Sequence, residues 1–467
     1  MTKRKKVLLI ILIAFVVLLA GTYIGMAVYF RQHFYSNSVI NGIDCSRMTA
    51  EEVKERLKQQ VDEYQLTITG RGDSSETLTA GDLQLVYKDD GEVEQLLKEQ
   101  NSWLWCIEAF REHTYRQSLS MEISDEAVGK AVDSLTMMQE ENMTAPQDAT
   151  ITTEGSDFVI VPETAGTQLN RDKVIQAVKD ALSSGETTLD LDEADCYEKP
   201  AVTQKDASLQ ERLQNLNQMV SASLTIDFGS GRVETVDRNL LVQWITQDES
   251  GNDVFDSAKV TEYVQQLADT YDTVGKHTFT TTGGETVTLS AGDYGWEMDV
   301  ATTSANLLAA IQEQQQGEFE VTYTSSARSR DENDIGNSYI EISIDQQTVW
   351  CYVDGKLVVE TPVVTGCVNN GTETPRGGVW KVKTRKSPYT MKGKPDENGE
   401  PSYVEEVTYW VPYSEDFTVG LHDLSSRTAF GGDIYITNGS HGCVNIPLDA
   451  MEQIYNAVSY GFPVIVY

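Results

Sequence analysis

An uncharged apolar run at residues 7–30 follows directly on Lys3, Arg4, Lys5 and Lys6, and it limits where the rest of the chain can fold. The run exceeds the roughly 20 residues a helix needs to cross a bilayer core and the ~7 to 15 apolar residues of a cleaved leader. Ala20-Gly21-Thr22 makes a poor cleavage site. Four cations precede the run and only Arg31 stands close behind it, a bias that keeps the amino terminus in the cytoplasm and sends the body outside. The expectation is a cytoplasmic tail at 1–6, a transmembrane anchor at 7–30 and a single-pass protein with an external body.

With 467 residues the chain outgrows one hydrophobic core, since cores stop growing near ~250 to 300 residues. Its 72 acidic side chains against 36 basic ones give a formal charge of -36. Phosphate binding draws on clustered Lys and Arg, so nucleic acid is excluded as a partner; the acidity reads as a solvated surface that stays off anionic lipid. The six cysteines, at 45, 106, 196, 351, 367 and 443, show no CxxC and no zinc-ligand spacing, so neither a metal nor a disulfide framework is implied. Asp354-Gly355 reads as a hairpin turn that sets Cys351 opposite a residue near Val358 rather than Cys367, and both thiols are expected to be buried and apolar in character.

Behind the apolar run, Asn41-Gly42-Ile43-Asp44 and then Thr49-Ala50-Glu51-Glu52 read as an extended stretch entering a capped helix, a juxtamembrane stalk over 31–61. Two later stretches share one rhythm: a β run, a Gly, a short mixed segment, an amphipathic helix and a final strand. The first is a run at 158–161, Gly166-Thr-Gln-Leu-Asn170, a helix at 173–182 and a strand at 187–191. The second is a run at 287–289, Gly295-Trp-Glu-Met-Asp299, a helix at 302–313 and a strand at 319–323. Earlier halves, 78–82 before an acidic helix and 236–245 before 257–269, extend these into two α+β modules, 62–200 and 201–326. Neither module clusters His, Cys or paired carboxylates, and Trp103, Trp105, Trp244 and Trp296 read as core. A polar linker occupies 327–337, within the aperiodic stretch 325–337.

From 338 to 467 the pattern becomes mostly β, with Ile340, Ile342 and Ile344 alternating and 349–353 pairing with 356–363. Further strands are expected at 378–384, 407–412, 433–437 and 462–467, with one helix at 448–459 that stops at Gly461. His422 and His441 both lie near Cys443 in this domain, and a thiol becomes a useful nucleophile when an imidazole takes its proton. His441 is expected on the same strand face as Cys443. His422 precedes the cysteine by 443 - 422 = 21 residues, a spacing that fits a strand, a turn and a return. Asp423 is a candidate for orienting an imidazole, and Gly439 and Gly442 let the backbone turn and present N–H groups to an oxyanion.

The string Gly439-Ser440-His441-Gly442-Cys443-Val444-Asn445 closely resembles the signature of the L,D-transpeptidase (YkuD-type) catalytic domain. In that family a small residue, His, Gly and Cys run together and an earlier His supplies the base. Asp354-Gly355, Thr365-Gly366, Thr374-Pro375-Arg376-Gly377 and the helix-Gly-strand ending extend the likeness over 339–467. The two upstream modules look like the peptidoglycan-binding repeats that accompany such domains in Gram-positive bacteria. The resemblance therefore implies a multidomain protein: one transmembrane helix, two α+β repeat modules and a mostly-β catalytic domain acting outside the cell at the wall.

It further implies that Cys443 attacks the bond between an L-centre and D-alanine in a tetrapeptide stem, releasing D-alanine and leaving a thioester. His422 matches the family's base, amides at His441, Gly442 and Cys443 would hold the oxyanion, and a neighbouring stem would accept the acyl group to give a 3→3 cross-link. Ser440 and His441 match motif positions and serve equally well as loop support. Asn445 stands where many family members have Arg. Tyr403, Trp410, Arg427 and Asn445 are candidate substrate contacts, and the Gly-, Pro- and charge-rich stretch 385–406 is a candidate lid. No cofactor is implied, because the chemistry is covalent. Two rivals stand beside this reading: a carboxypeptidase or cysteine hydrolase in which water releases the thioester, and a wall-binding scaffold without activity.

Overall fold

The computed structural model describes residues 2–116, 121–393, 397 and 400–467. It divides into two compact units, 1–151 with 160–210, and 152–159 with 211–467.

In the first unit, helix α1 (Lys3–Tyr29) is, among the described residues, the one helix long and apolar enough to cross a membrane. Its side chains are exposed until the last turn, where Ala27, and then Phe30 just beyond, are buried. Helix α2 (Ala50–Asp62) starts at a complete capping box, Thr49 N donating to Glu52 Oε2 at 2.8 Å and Glu52 N to Thr49 Oγ1 at 3.3 Å. The span expected as a stalk is packed: Phe34, Ile40, Cys45, Val53, Leu57 and Val93 close a small core. The cause is the apolar stripe Val53, Leu57, Val61 on α2, which needs a partner surface. Trp103 departs from expectation. It is exposed rather than core, and Trp105 is half-buried, whereas Trp244 is buried in the second unit.

The repeat is visible in the sheets. In the first unit β1 (Gln65–Gly70) pairs antiparallel with β2 (Ser74–Thr79) and parallel with β3 (Thr188–Asp190). In the second, β4 (Ser223–Asp227) pairs antiparallel with β5 (Val233–Val236) and parallel with β6 (Gln316–Glu318). Each closing strand follows a helix, α3 (Arg171–Ser184) or α4 (Val300–Gln312). The shared Gly-x-x-x-Asn/Asp string has a physical reading: Gly166 and Gly295 take positive φ, Leu169 and Met298 plug the cores, and Asn170 and Asp299 cap the helices through Lys173 N at 3.1 Å and Thr302 N at 3.0 Å. The strand expected at 319–323 falls instead at β6, where β4 supplies a parallel partner; register follows that partner and not the local hydrophobicity.

Residues 325–337 do not behave as a free linker. Asp334 is buried, accepting from Thr273 Oγ1 at 2.5 Å and lying 3.0 Å from His277 Nε2, while Tyr294 OH donates to its carbonyl at 2.8 Å.

The C-terminal domain is built on a five-stranded sheet, order β9-β8-β7-β16-β10, from β7 (Tyr339–Ser343), β8 (Thr348–Val353), β9 (Lys356–Pro362), β10 (Gly378–Lys381) and β16 (Pro463–Val466). Cys351 sits opposite Val359, and Cys351 and Cys367 are both buried and unpaired. In β7 the isoleucines face the core and Glu341 is equally buried, because Thr282 of the second repeat donates to it through N at 2.8 Å and Oγ1 at 2.7 Å, and Tyr467 OH donates at 2.6 Å. The repeat also reaches the sheet edge, with Val379 N donating to Ala291 O at 3.0 Å and Tyr294 N to Val379 O at 3.1 Å.

Two smaller sheets complete the domain: β11 (Tyr389–Lys392) with β12 (Val404–Val407), and β13 (Trp410–Pro412), β14 (Gly420–Asp423) and β15 (Val444–Ile446) in that order. The strand expected at 433–437 is a short helix, α5 (Ile434–Asn438), with no buried side chain. Although β-branched, it has no sheet neighbour, and its carbonyls at Tyr435 and Ile436 accept from Val368 N and Asn369 N. Helix α6 (Leu448–Ala457) packs on the core through Met451 and Ile454. Of the candidate lid 385–406, residues 394–396 and 398–399 lie outside the described residues; the rest contains β11 and most of β12.

Candidate active site

Strands β14 and β15 run parallel with His422 opposite Asn445. The 21-residue spacing is thus a crossover to a parallel strand, and not a return hairpin. Because side chains alternate along strands, Cys443 and Asn445 share a face with His422. His441 lies before β15 starts, in a bend where Gly442 takes φ +116°, so it is not on a strand face with Cys443. It is exposed, and its ring stacks on Tyr403 at 5.2 Å.

The bend is fixed by buried and half-buried hydrogen bonds. Ser440 Oγ donates to Cys443 O at 2.5 Å and accepts from Gly442 N at 3.0 Å. Ser440 N donates to Thr365 O and Cys367 N to Ser440 O, each at 2.9 Å. Thr374 Oγ1 donates to Gly442 O at 2.8 Å and accepts from Gly366 N at 2.8 Å. Ser440 therefore supports the loop, and Gly442 N–H is engaged within it, which removes that amide from the expected oxyanion donors. Thr374 was visible in sequence only as part of Thr-Pro-Arg-Gly; its bracing role needed the fold.

His422 is held at both nitrogens. Nδ1 lies 2.8 Å from Asp423 O, and Nε2 lies 3.0 Å from Asn445 Nδ2. A carbonyl can only accept, so Nδ1 carries the proton and Nε2 keeps the lone pair. Arg427 Nε donates to Asn445 Oδ1 at 3.0 Å, which turns the Asn amide so that its NH2 faces the imidazole. Asp423 contributes its backbone carbonyl. Its carboxylate, expected to orient the ring, instead accepts from Thr408 N at 3.0 Å and Tyr409 N at 2.7 Å and braces the turn into β13.

Cys443 is 5% exposed, and its Sγ donates to Thr418 O at 3.5 Å. Burial pushes the thiol up to about 11, partly offset by the Gly420 amide. Burial also lowers the His422 imidazole, opposed by its bond to Asp423 O, and lowers the Arg427 guanidinium. At neutral pH the resting pair is therefore thiol and neutral imidazole.

Both groups open into one pocket of about 230 Å³ that also meets Tyr403, Glu405, Arg427, Ser440, His441 and Asn445. A second pocket of about 360 Å³, lined by Thr372, Tyr389, Lys392, Trp410, Phe417 and Thr418, shares Met391, Tyr403 and His441 with the first. Trp410 is buried, stacked 5.8 Å from Tyr389 and tilted 5.8 Å from the His422 ring. Tyr403 is raised by burial and then by the neighbouring Cys443.

Sequence comparison assigns residues 337–466 to the L,D-transpeptidase catalytic domain (YkuD). Residues 78–190 and 202–320 match the family described as "Putative peptidoglycan binding domain". Among solved structures, the Ldtfm-avibactam carbamoyl enzyme is 31% identical, aligned over 56% of this chain and 98% of its own, with a TM-score of 0.46. A Cys-to-Ser mutant of the Enterococcus faecium L,D-transpeptidase is 30% identical over 55% of this chain and 100% of its own, TM-score 0.46. The chain belongs to the L,D-transpeptidase family. The catalytic domain of the E. faecium enzyme is 38% identical to this L,D-transpeptidase over 28% of the chain and 98% of its own length, TM-score 0.25. No curated protein matches.

Proposed function

We propose that this L,D-transpeptidase forms 3→3 peptidoglycan cross-links through a thioester on Cys443, with His422 as the base. The observation that carries the reading is the linked set Arg427, Asn445, His422 and Asp423 O, which leaves a basic Nε2 in the pocket that holds the sulfur. Cys443 Sγ attacks the carbonyl carbon next to the terminal D-alanine of a tetrapeptide stem, and its proton passes to His422 Nε2 as Asn445 yields. The C–N bond breaks, D-alanine leaves with that proton, and the acyl group stays on sulfur. The amine of a neighbouring stem then attacks the thioester, gives a proton to His422, and the thiol is restored. Amides of His441 and Cys443 receive the oxyanion.

Tyr403 and His441, shared by both pockets, contact the stems, and Arg427 and Asn445 act first on the imidazole. Trp410 backs the imidazole and the second pocket. The modules at 62–200 and 201–326 bind peptidoglycan, the 338–467 domain carries the chemistry, and 7–30 anchors the chain with its body outside the cell. Burial of Ala27 and Phe30 against the body supports a retained helix over a discarded leader.

Incubating the full chain with a tetrapeptide stem and an amine-bearing acceptor should yield a dimer lacking one D-alanine. Free tripeptide without dimer would replace this reading by the hydrolase.

A further inference from the structure

Among the described residues outside α1, large apolar side chains are exposed singly or in pairs, with one exception: Trp103, Leu104, Ile107 and Phe110, at 54%, 42%, 52% and 84% exposure. Soluble surfaces tolerate scattered apolar residues but seldom a cluster of this kind. The segment is ordered, with Asn101 Oδ1 accepting from Trp103 N at 3.2 Å to open a 3-10 turn (Ser102–Leu104) that runs into a helical turn (Trp105–Glu108).

The cluster is attached to the outer end of α1. Tyr23 OH donates to Trp103 O at 2.5 Å, and Trp105 Nε1 donates to Tyr23 O at 3.1 Å. The Tyr23 ring lies 6.2 Å from Trp103 and 6.1 Å from Trp105, and Phe30 stacks on Trp105 at 6.1 Å. Tyr23 is 23 - 7 = 16 residues beyond Val7, or about 24 Å along a helix rising ~1.5 Å per residue, against a hydrocarbon core of about 30 Å. These contacts therefore fall within about 6 Å of the outer boundary of a bilayer spanned by α1, close to the depth at which Trp and Tyr rings concentrate.

We infer that residues 103–110 form a second membrane contact, in which Trp103, Leu104, Ile107 and Phe110 enter the interfacial layer of the outer leaflet beside α1. The inference rests on α1 being a membrane span. The occupant is lipid at the glycerol and upper acyl level, engaged by apolar insertion: a net charge of -36 offers no attraction to anionic headgroups, and Glu108 is already paired with Arg111 at 3.0 Å. The contact would hold the near-membrane end of the first unit flat on the bilayer, so that α1 does not serve as a free tether.

The test reconstitutes the full chain in phosphatidylethanolamine/phosphatidylglycerol vesicles whose acyl chains carry bromine at a shallow or a deep position, and reads tryptophan emission. Shallow bromines should quench the wild-type chain more than deep ones, by up to two of its seven tryptophans, and Trp103→Phe/Trp105→Phe should lose that quenchable fraction. Ile107→Asp/Phe110→Asp, which keeps both indoles, should reduce it. Equal quenching in wild type and the Phe variant, with the chain resisting carbonate extraction, would overturn the second contact and leave the span standing. Release of the chain by carbonate would overturn both.

Discussion

The first repeat and the C-terminal domain close their cores in different ways. Between Val61 and Tyr197 the repeat is sealed by aliphatic and aromatic side chains such as Leu66, Ile68, Val174 and Leu182, while the C-terminal domain also buries Gln347, Thr365, Thr374, His422, Asp423 and Asn445. A buried polar group left unpaired costs about 1–3 kcal/mol, and an aliphatic core folds without taking that risk. Each of these six is paired: Gln347, Thr365 and Thr374 lead to the loop that carries Cys443, Asn445 and the Asp423 carbonyl hold the His422 ring, and the Asp423 carboxylate takes the Thr408 and Tyr409 amides. The contrast separates residues that hold a module together from residues held in place for chemistry.

Substitution on each side should break the two regions differently. His422→Ala should slow acylation of Cys443 by at least about 100-fold, the scale of general-base contributions, and should also lower Tm, because it leaves Asn445 Nδ2 and Asp423 O without their buried partner. Leu182→Ala, fully buried in the repeat, should cost about 2–5 kcal/mol of stability and leave the acylation rate constant of folded protein unchanged. Rate measurements paired with thermal melts check both, and a Leu182→Ala enzyme that is folded but slow would dissolve the distinction.

Protonation sharpens it next. Burial disfavours the thiolate, so the folded value of about 11 lies above the ordinary thiol range of about 8.5, and the thiolate fraction at a given pH falls accordingly. Alkylation of Cys443 by iodoacetamide, followed by peptide mass, should rise about tenfold per pH unit through neutrality and continue above pH ~8.5. A plateau already reached at neutral pH would mean that a thiolate-imidazolium pair exists at rest. A smaller effect should distinguish neighbours within the site: Asn445→Ala should slow acylation about tenfold, the equivalent of one lost hydrogen bond, whereas Asp423→Asn should change it less than that and lower Tm instead, because its carboxylate caps Thr408 and Tyr409.

Much of this arrangement was legible in the sequence because the motif is compressed: Ser440, His441, Cys443 and Asn445 are neighbours in the chain, and the bend at Gly442 brings them to one pocket. The repeats were legible through Gly166 and Gly295, which both take positive φ, and through the capping residues four positions on. What stayed hidden depends on partners distant in sequence. Whether His422 returns by a hairpin or a parallel crossover is decided by β15, and whether Asp423 orients the ring by carboxylate or by carbonyl is decided by two amides at 408 and 409. The β-branched run at 434–438 suggested a strand that no neighbouring edge was available to complete. Trp103 looked like core because aromatic residues usually are, and only its position beside α1 shows it facing outward.

The account turns on Cys443 as the acylated atom. Intact-mass measurement of the full chain after exposure to a carbapenem or a tetrapeptide stem, for wild type and Cys443→Ala, tests it most directly. One covalent adduct on wild type that is absent from the variant is the predicted result. An adduct of equal yield on Cys443→Ala would contradict it.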